Sequence, residues 1–467
     1  MRPELLEYHL DWLFAATFNI AKKTENATPK ELARLLRFAP YDSGLLTPLL
    51  ALGKPAITFI DLFGEYYTNI VNAKKDGKKV VMTTFCFDPA IFYAVDNLVP
   101  VTLEIGTALT SMLWKRGSYD FMDFCTEVGF SETGCSSQRG AMGAYLAGAG
   151  AQIDMVALNM GGVCDTNANA YSFAAQYLDV PYYGLDYPAE LTTKEVQEYH
   201  HKDYREFIKF IETHSGCKFD IDRLRELLEE KKIQDALLDE LEEMQRIVPN
   251  PVPGLYHILI YASRYIYSGR KKYTKMLREM VEIVRQNAAE GRSGLNTGEE
   301  KVRAFQIYID NYSLNVGMWD WFDKNGISHM GSILSRTFSD DAPYTTGIPG
   351  TTYRINTKNL DTMIDSLADI NARMPMTRTI RGPYDAPHMW LEDTISLAKI
   401  YKVDCCIYNG TPGCRNTWSN VKLIARDLEE AGFPTHLVYA DSFDGRVESW
   451  DTTVMRMEEF FSIRGLL

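Results

Sequence analysis

Residues 119–165 read YDFMDFCTEVGFSETGCSSQRGAMGAYLAGAGAQIDMVALNMGGVCD, and residues 403–418 read VDCCIYNGTPGCRNTW. The second stretch repeats the closing part of the first. In each, an aspartate (Asp154, Asp404) opens an apolar run, a glycine-bearing turn follows, and a cysteine (Cys164, Cys414) lies ten residues after the aspartate. A helix-length segment comes next, then a proline (Pro181, Pro434) that opens a short β-like run ending near Asp186 or Asp441. Each half is therefore one βαβ unit of a parallel sheet. In open parallel sheets the loops at the carboxyl ends of the strands line the ligand crevice, so this reading presents Cys164 and Cys414 where ligands bind. Cys135, on a loop between a glycine and a small-residue helix pattern, joins them as a third candidate.

Working outward, residues 1–75 read as a helical N-terminal segment. Pro3 suits a first helical turn, and Thr28, Pro29 and Glu31 form a cap, a proline and an acidic first turn. Residues 76–190 form the first α/β domain. It opens on a β-rich run at 79–85, continues with a helix that starts at Asp88-Pro89, and enters a second strand at Val99-Pro100-Val101. Residues 191–290 form a helical segment. There FDIDRLRELLEEKKIQDALLDELEEMQRI (219–247) sets leucines at helical spacing with charges between, and 256–285 repeats the style with aromatics. The polar, glycine-bearing stretch 288–301 is a linker. The second α/β domain spans 300–467, with a β-like run at 303–311 and a further strand and helix within 312–333. The fold expected is α/β: two Rossmann-like parallel-sheet domains with helical N-terminal and middle segments.

At 467 residues the chain has room for full cores in two or three domains. With 62 acidic against 49 basic residues its net charge is −13, which implies no general affinity for nucleic acid or anionic membrane. The early apolar run 12–16 is far shorter than the ~20 residues of a membrane span, so the expectation is a soluble cytoplasmic protein with no membrane partner. With no secretory signal, gathered thiols point to a metal rather than to disulfides.

Close C-x2-C pairs, which structural zinc and thiol–disulfide sites use, are absent, and Cys405 and Cys406 are neighbours whose side chains would face opposite sides of a strand. Iron–sulfur clusters are held by cysteine thiolates, and three protein ligands leave one iron open. Cys86 and Cys217 lack a counterpart in the other half and read as structural. His200 and His201 are adjacent on a helix, so they point apart and do not pair on one metal. His388, in GPYDAPHMW, is a catalytic candidate, and the loop SDDAPYTTGIPG (339–350) is long enough to cover a site. No G-x-x-x-x-G-K-[ST] motif occurs, so ATP would be handled by another protein.

The segments FCTEVGFSETGCSSQRGAMGAYLAG (124–148), NMGGVCDTNANAY (159–171), IYNGTPGCRNTW (407–418) and GFPTHLVYADSFDGR (432–446) resemble the subunits of 2-hydroxyacyl-CoA dehydratases and class I benzoyl-CoA reductases. The resemblance runs from about residue 79 onward. It implies that Cys135, followed by Arg139 in a C-x-x-x-R pattern, together with Cys164 and Cys414, ligates a 4Fe-4S cluster. Cys125 resembles a cysteine of some members. The implied partners are a homologous second subunit in a heterodimer, an ATP-dependent iron–sulfur activator protein and an acyl-CoA substrate. The implied reaction is dehydration of an (R)-2-hydroxyacyl-CoA through a ketyl radical after one-electron input. The alternatives are an ATP-dependent benzoyl-CoA reductase subunit, or a partner subunit whose cluster only relays electrons. Arg139 and Arg415 flank the cysteine positions and are further catalytic candidates. An arginine follows Cys414 where some relatives carry lysine, which bears on substrate choice.

Overall fold

The structure is a computed structural model that describes residues 9–23, 49, 51–85, 87–159, 164–186, 193–314, 317–333, 354–373, 389–414 and 418–467. Cys86, His388, Arg415, the Thr28–Pro29 cap and the 339–350 loop lie outside these residues.

Eight described strands form two parallel sheets. β1 (Lys79–Thr83), β2 (Leu98–Thr102), β3 (Met155–Asn159) and β4 (Tyr182–Leu185) make the first, in the order β2-β1-β3-β4. β5 (Val302–Gln306), β6 (Ile327–Ser332), β7 (Cys405–Asn409) and β8 (Thr435–Val438) make the second, in the order β6-β5-β7-β8. The two sheets therefore have the same topology, and within each the order reverses between its first and third strands. Every described strand pair is parallel.

The repeated aspartate has a physical role in that topology. Asp154 precedes β3, and its carboxylate accepts a hydrogen bond from the Val80 amide of β1 at 2.8 Å while its own amide donates to the Val80 carbonyl at 2.9 Å. Asp404 precedes β7 and does the same to Arg303 of β5, at 2.8 and 2.9 Å. Each carboxylate closes the start of a central strand pair, satisfying an amide that the ladder leaves over. The β-like run expected at 303–311 ends as strand at Gln306, and the chain beyond stays tied to the sheet. The Ile307 amide donates to the Ile407 carbonyl at 2.9 Å, and Asn409 Nδ2 donates to the Ile309 carbonyl at 2.9 Å.

The central strands β3 and β7 are buried along their whole length, as strands covered on both faces must be, whereas the edge strands β4 and β8 are half-buried. On β7 the alternation is visible in the cores: Cys406 and Tyr408 enter the large core of the molecule, while Cys405 and Ile407 enter a second core with Met318, Phe322 and Phe461. The neighbouring cysteines thus face opposite sides of the sheet.

Helices supply both covers. α1 (Leu10–Lys23) and α2 (Lys54–Asn72) pack on each other. α3 (Ala90–Tyr93) follows β1, and α4 (Leu103–Leu113), α5 (Lys115–Glu127) and α6 (Ser136–Leu146) lie between β2 and β3. α7 (Asp165–Leu178) crosses from β3 to β4. The middle segment is helical as expected: α8 (Lys194–Ser215), α9 (Ile221–Met244), α10 (Tyr256–Tyr267) and α11 (Lys271–Ala289). Thr193 and Asp220 cap α8 and α9 through their side chains. In the second half, α12 (Gly317–Lys324) precedes β6, α13 (Leu360–Arg373) and α14 (Met389–Ile400) precede β7, and α15 (Val421–Glu430) crosses to β8. α16 (Trp450–Ile463) closes the chain. No described helix is long and apolar enough to cross a membrane.

Candidate metal centre

Three thiols arrive at one place from three loops. Cys135 sits at the N-cap of α6, Cys164 at the N-cap of α7 beyond β3, and Cys414 on the loop beyond β7. The Cys164 thiol accepts a hydrogen bond from the Asn167 amide at 3.4 Å, so α7 begins on the sulfur. The Gly413–Cys414 loop lies directly against the Gly134–Cys135 loop: a Cβ on Gly413 would come 3.1 Å from the Gly134 carbonyl oxygen and 3.3 Å from the Cys135 Cα. Burial raises the Cys135 thiol well above its usual range, and the nearby Cys414 and Cys164 thiols raise it further. Cys164 is pushed up to about 12, by burial first and by Cys414 second. Asp441 adds to the effect at Cys135 and Asp165 at Cys164, a balance against these two thiolates that a bound cation would reverse.

Tyr308 completes the enclosure. It stands just beyond β5 on the stretch that Asn409 holds, buried, with its ring edge-on to Trp390 at 5.9 Å. Its hydroxyl donates to the Cys414 sulfur at 3.7 Å. Burial raises its pKa far above normal, with Cys414, Cys135 and Cys164 adding to the effect in that order, so all three sulfurs lie within electrostatic reach of one phenol.

A second network joins the helices that carry Cys135 and Cys164. Glu104, in the first turn of α4, accepts hydrogen bonds from Thr84 Oγ1 at 2.9 Å, the Phe85 amide at 2.9 Å, the Tyr171 hydroxyl at 3.0 Å and Gln138 Nε2 at 3.4 Å. Gln138 of α6 also donates to Asn167 of α7, which donates in turn to Thr84 Oγ1 at 2.9 Å. These four donors to Glu104 are uncharged, and the residue is 3% exposed. Burial accordingly lifts its carboxyl to about 7, against the pull of those donors. A folded-state pKa above the unfolded one means that the stability this group lends is complete below pH 4.5 and is lost as the pH rises through about 7. Glu104→Gln should therefore change the pH profile: between those limits the parent should lose up to ~3 kcal/mol relative to the variant, read from denaturant unfolding. Parallel profiles would show that the carboxyl does not titrate in this window.

α6 reaches its place because its glycines let it. A Cβ on Gly140 would meet Thr107 of α4 at 2.5 Å, and one on Gly143 would overlap the Phe121 carbonyl of α5. The small-residue run SSQRGAMGAYL is thus a packing face against two helices. The second half is held on from the other side by the stretch 441–446. Asp441 accepts a hydrogen bond from Ser136, the Phe443 carbonyl accepts one from Ser111 at 2.8 Å, and Arg446 pairs with Asp123 at 2.8 Å while lying over the Tyr119 ring at 4.8 Å.

The family model described as 2-hydroxyglutaryl-CoA dehydratase, D-component, matches residues 86–463, which takes in seven of the eight described strands. The chain belongs to this D-component family. Among curated relatives it is similar to the alpha subunit of (R)-2-hydroxyisocaproyl-CoA dehydratase from Clostridioides difficile. The two are 26% identical over 290 residues, covering 60% of this chain and 69% of that one. It is similar also to one of the subunits of benzoyl-CoA reductase from Thauera aromatica, 23% identical over 438 residues, covering 86% and 93%. D-component membership makes this chain kin to dehydratase and reductase subunits.

D-component proteins typically carry a 4Fe-4S cluster. Among the described residues, no group of three histidine, cysteine, aspartate or glutamate side chains is gathered tightly enough to hold a metal ion. A cluster differs from an ion in that its thiolates bind different irons, so its ligands do not converge on one point. Three neighbouring thiols, Cys135 buried and Cys164 and Cys414 partly so, are a donor set that suits it chemically.

The other described candidates from the sequence have surroundings of their own. The charge of Arg139 reaches Cys125, where burial outweighs it, and Asp444, whose carboxyl is held below its usual range against burial chiefly by Arg446 and to a lesser extent by Arg139. Cys125 itself is buried and donates to the Arg139 carbonyl at 3.3 Å, with burial pushing its thiol up to about 12. His200 faces the Asp186 and Ala368 carbonyls, and His201 pairs with Asp369 at 2.8 Å, so the two rings diverge. Cys217 packs at the edge of the core in the helical segment. Sequence reasoning missed Glu104, Tyr308 and the Gln138–Asn167 bridge.

Proposed function

We propose that this chain is the iron–sulfur subunit of an acyl-CoA-processing enzyme, with Cys135, Cys164 and Cys414 holding a 4Fe-4S cluster, and that its reaction is dehydration of an (R)-2-hydroxyacyl-CoA. The observation that carries the reading is that the loop bearing Cys414, from the second half, lies directly against the loop bearing Cys135, from the first, with the Cys164 thiol within electrostatic reach of both. Bound there, the cluster would lend the thioester one low-potential electron and take it back once the neighbouring hydroxyl and a proton have left as water, so that the dehydration stays redox-neutral.

The residues of the chain account for the surroundings such chemistry needs. Tyr308, backed by the Trp390 ring, stands against the Cys414 sulfur, the Asn167 amide and the Tyr308 hydroxyl donate to sulfurs, and Asp441 fixes Ser136 beside Cys135. A homologous second subunit completes the enzyme, and a separate ATP-dependent activator provides the electron. Arg139, Arg415 and His388 are the residues proposed for charge stabilisation and proton transfer. The domain division we propose is 1–75, 76–190, 191–290 and 300–467, in the cytoplasm of an anaerobic cell.

A reductase acting on benzoyl-CoA is the second reading, favoured by the longer alignment with the Thauera aromatica protein. The test is the co-expressed pair, purified without oxygen, analysed for iron and sulfide and assayed with activator, ATP and reductant on a panel of CoA thioesters. Dehydration of a 2-hydroxyacyl-CoA is expected. Consumption of benzoyl-CoA alone would move the assignment to the reductase reading, and iron-containing protein that turns over neither would overturn both.

A further inference from the structure

Where the two halves, the helical segment and the N-terminal segment meet, the structure has a partly open cavity of about 50 Å³ that adjoins the Cys135 helix. Ser137 reaches it from α6, two residues beyond Cys135, and Ile309 reaches it next to Tyr308. Most of the remaining wall is hydrocarbon or aromatic: Phe85, Leu109 and Met112 from the first half, Leu259 and Ala262 from α10, and Phe443 from the second half. Two tyrosines aside, the polar side chains among the described lining are Glu104 and Ser137, and no lysine or arginine is among them. The Ser137 hydroxyl, on a residue 5% exposed, has no hydrogen-bond partner among the described residues. A buried hydroxyl left unmatched is costly, and in a native fold it calls for a partner that the protein itself does not supply.

We propose that this cavity receives the acyl group of the thioester, that it selects an uncharged branched-aliphatic or aromatic acyl group, and that it rejects an acyl group ending in a second carboxylate. This rests on the function proposed above and narrows its substrate. An acyl carboxylate entering here would leave water for an apolar wall, find no cation among the described lining, and meet Glu104. An isobutyl or phenyl group loses only its contact with water, which favours entry. The cavity is smaller than the ~150 Å³ that accepts benzene in a protein core, so side chains must yield as the ligand enters. Met112, unbranched and with several rotatable bonds, is suited to that.

The experiment uses the two-subunit protein with its cluster verified by iron content and without activator, so that thioesters bind but do not react. Binding of 4-methylpentanoyl-CoA, benzoyl-CoA and glutaryl-CoA is measured by calorimetry. At least one of the first two should bind about a hundredfold more tightly than glutaryl-CoA. Ala262→Phe and Ala108→Phe, which fill the cavity from α10 and from α4, should each weaken the tighter thioester about tenfold or more at unchanged iron content. Glutaryl-CoA binding as well as the apolar thioesters would overturn the inference and leave the proposed function standing. So would filled variants, with parental melting temperature and iron, that bind like the parent. Should a variant fail to fold, the comparison of thioesters on the parent still decides. If the iron-loaded pair binds none of the three thioesters, both the inference and the proposed function fall.

Discussion

Cys164→Ser is expected to lose its iron by about tenfold or more when purified without oxygen, and its brown colour with it, while Cys217→Ser keeps both. The argument starts from the geometry at the head of α7, where the Cys164 sulfur accepts from the Asn167 amide at 3.4 Å. Serine is among the best residues for that capping position, so the substitution should leave α7 intact or slightly firmer. What it removes is a soft, ionisable sulfur, and changes even to the partners of metal ligands cost ~10–100-fold in affinity. Cys217 lies in the helical segment, where a small side chain at the core edge is all that its position demands. Iron analysis and the visible spectrum of the two variants decide the matter. Full iron in Cys164→Ser, or its loss in Cys217→Ser, would refute the assignment of the thiols.

Gly143→Ala should destabilise the fold by on the order of 4 kcal/mol or more. Helix propensity alone predicts the opposite sign, because alanine in a helix interior gains roughly 0.5–1 kcal/mol over glycine. Sterics win here, since the new methyl would overlap the Phe121 carbonyl, and a backbone atom of a packed helix cannot rotate out of the way. α6 would have to move off α5, taking with it the Cys135 loop at its N-terminus. Gly140→Ala is a milder version, because its obstacle is the Thr107 side chain, whose Oγ1 also accepts from the Ala141 amide at 2.9 Å. Urea midpoints of the two variants should rank in that order. A Gly143→Ala protein as stable as the parent would mean that the helices are less tightly pressed than this structure has them.

The repeated run from aspartate to cysteine was readable in sequence because its physical cause is local. A carboxylate before each central strand, a strand of fixed length and a turn at its carboxyl end leave a periodic trace, and Asp154 and Asp404 prove to make the same hydrogen bonds. Adjacent pairs were readable for the same reason: Cys405 and Cys406 diverge on a strand, and His200 and His201 on a helix. Glu104 left no such trace. It looks like the acidic first-turn residue of any helix, and only the fold turns donors from Thr84, Gln138 and Tyr171 toward it. Tyr308 was hidden similarly, within a run whose tyrosines all suit a core. The direction of Arg139, toward Cys125 and Asp444, depends on the 441–446 stretch arriving from the other half. Spacing in sequence reports what the chain does to itself nearby, and it is silent about what distant segments bring.

The division of the thiols between the two sheets also has a consequence for how the protein matures. Cys135 and Cys164 leave the ribosome with the first sheet, but Cys414 follows only after four long helices and most of the second sheet have been made. A half-synthesised chain thus displays two of the thiols without the loop that abuts Cys135 and without the Ser136–Asp441 and Ser111–Phe443 bonds that hold the halves together. With the three thiols as the proposed ligands, iron offered at that stage would meet an incomplete set. On that proposal, loading the cofactor would be a checkpoint on the finished molecule, and a chain truncated before β7 should accumulate as colourless protein however much iron and sulfide the cell supplies.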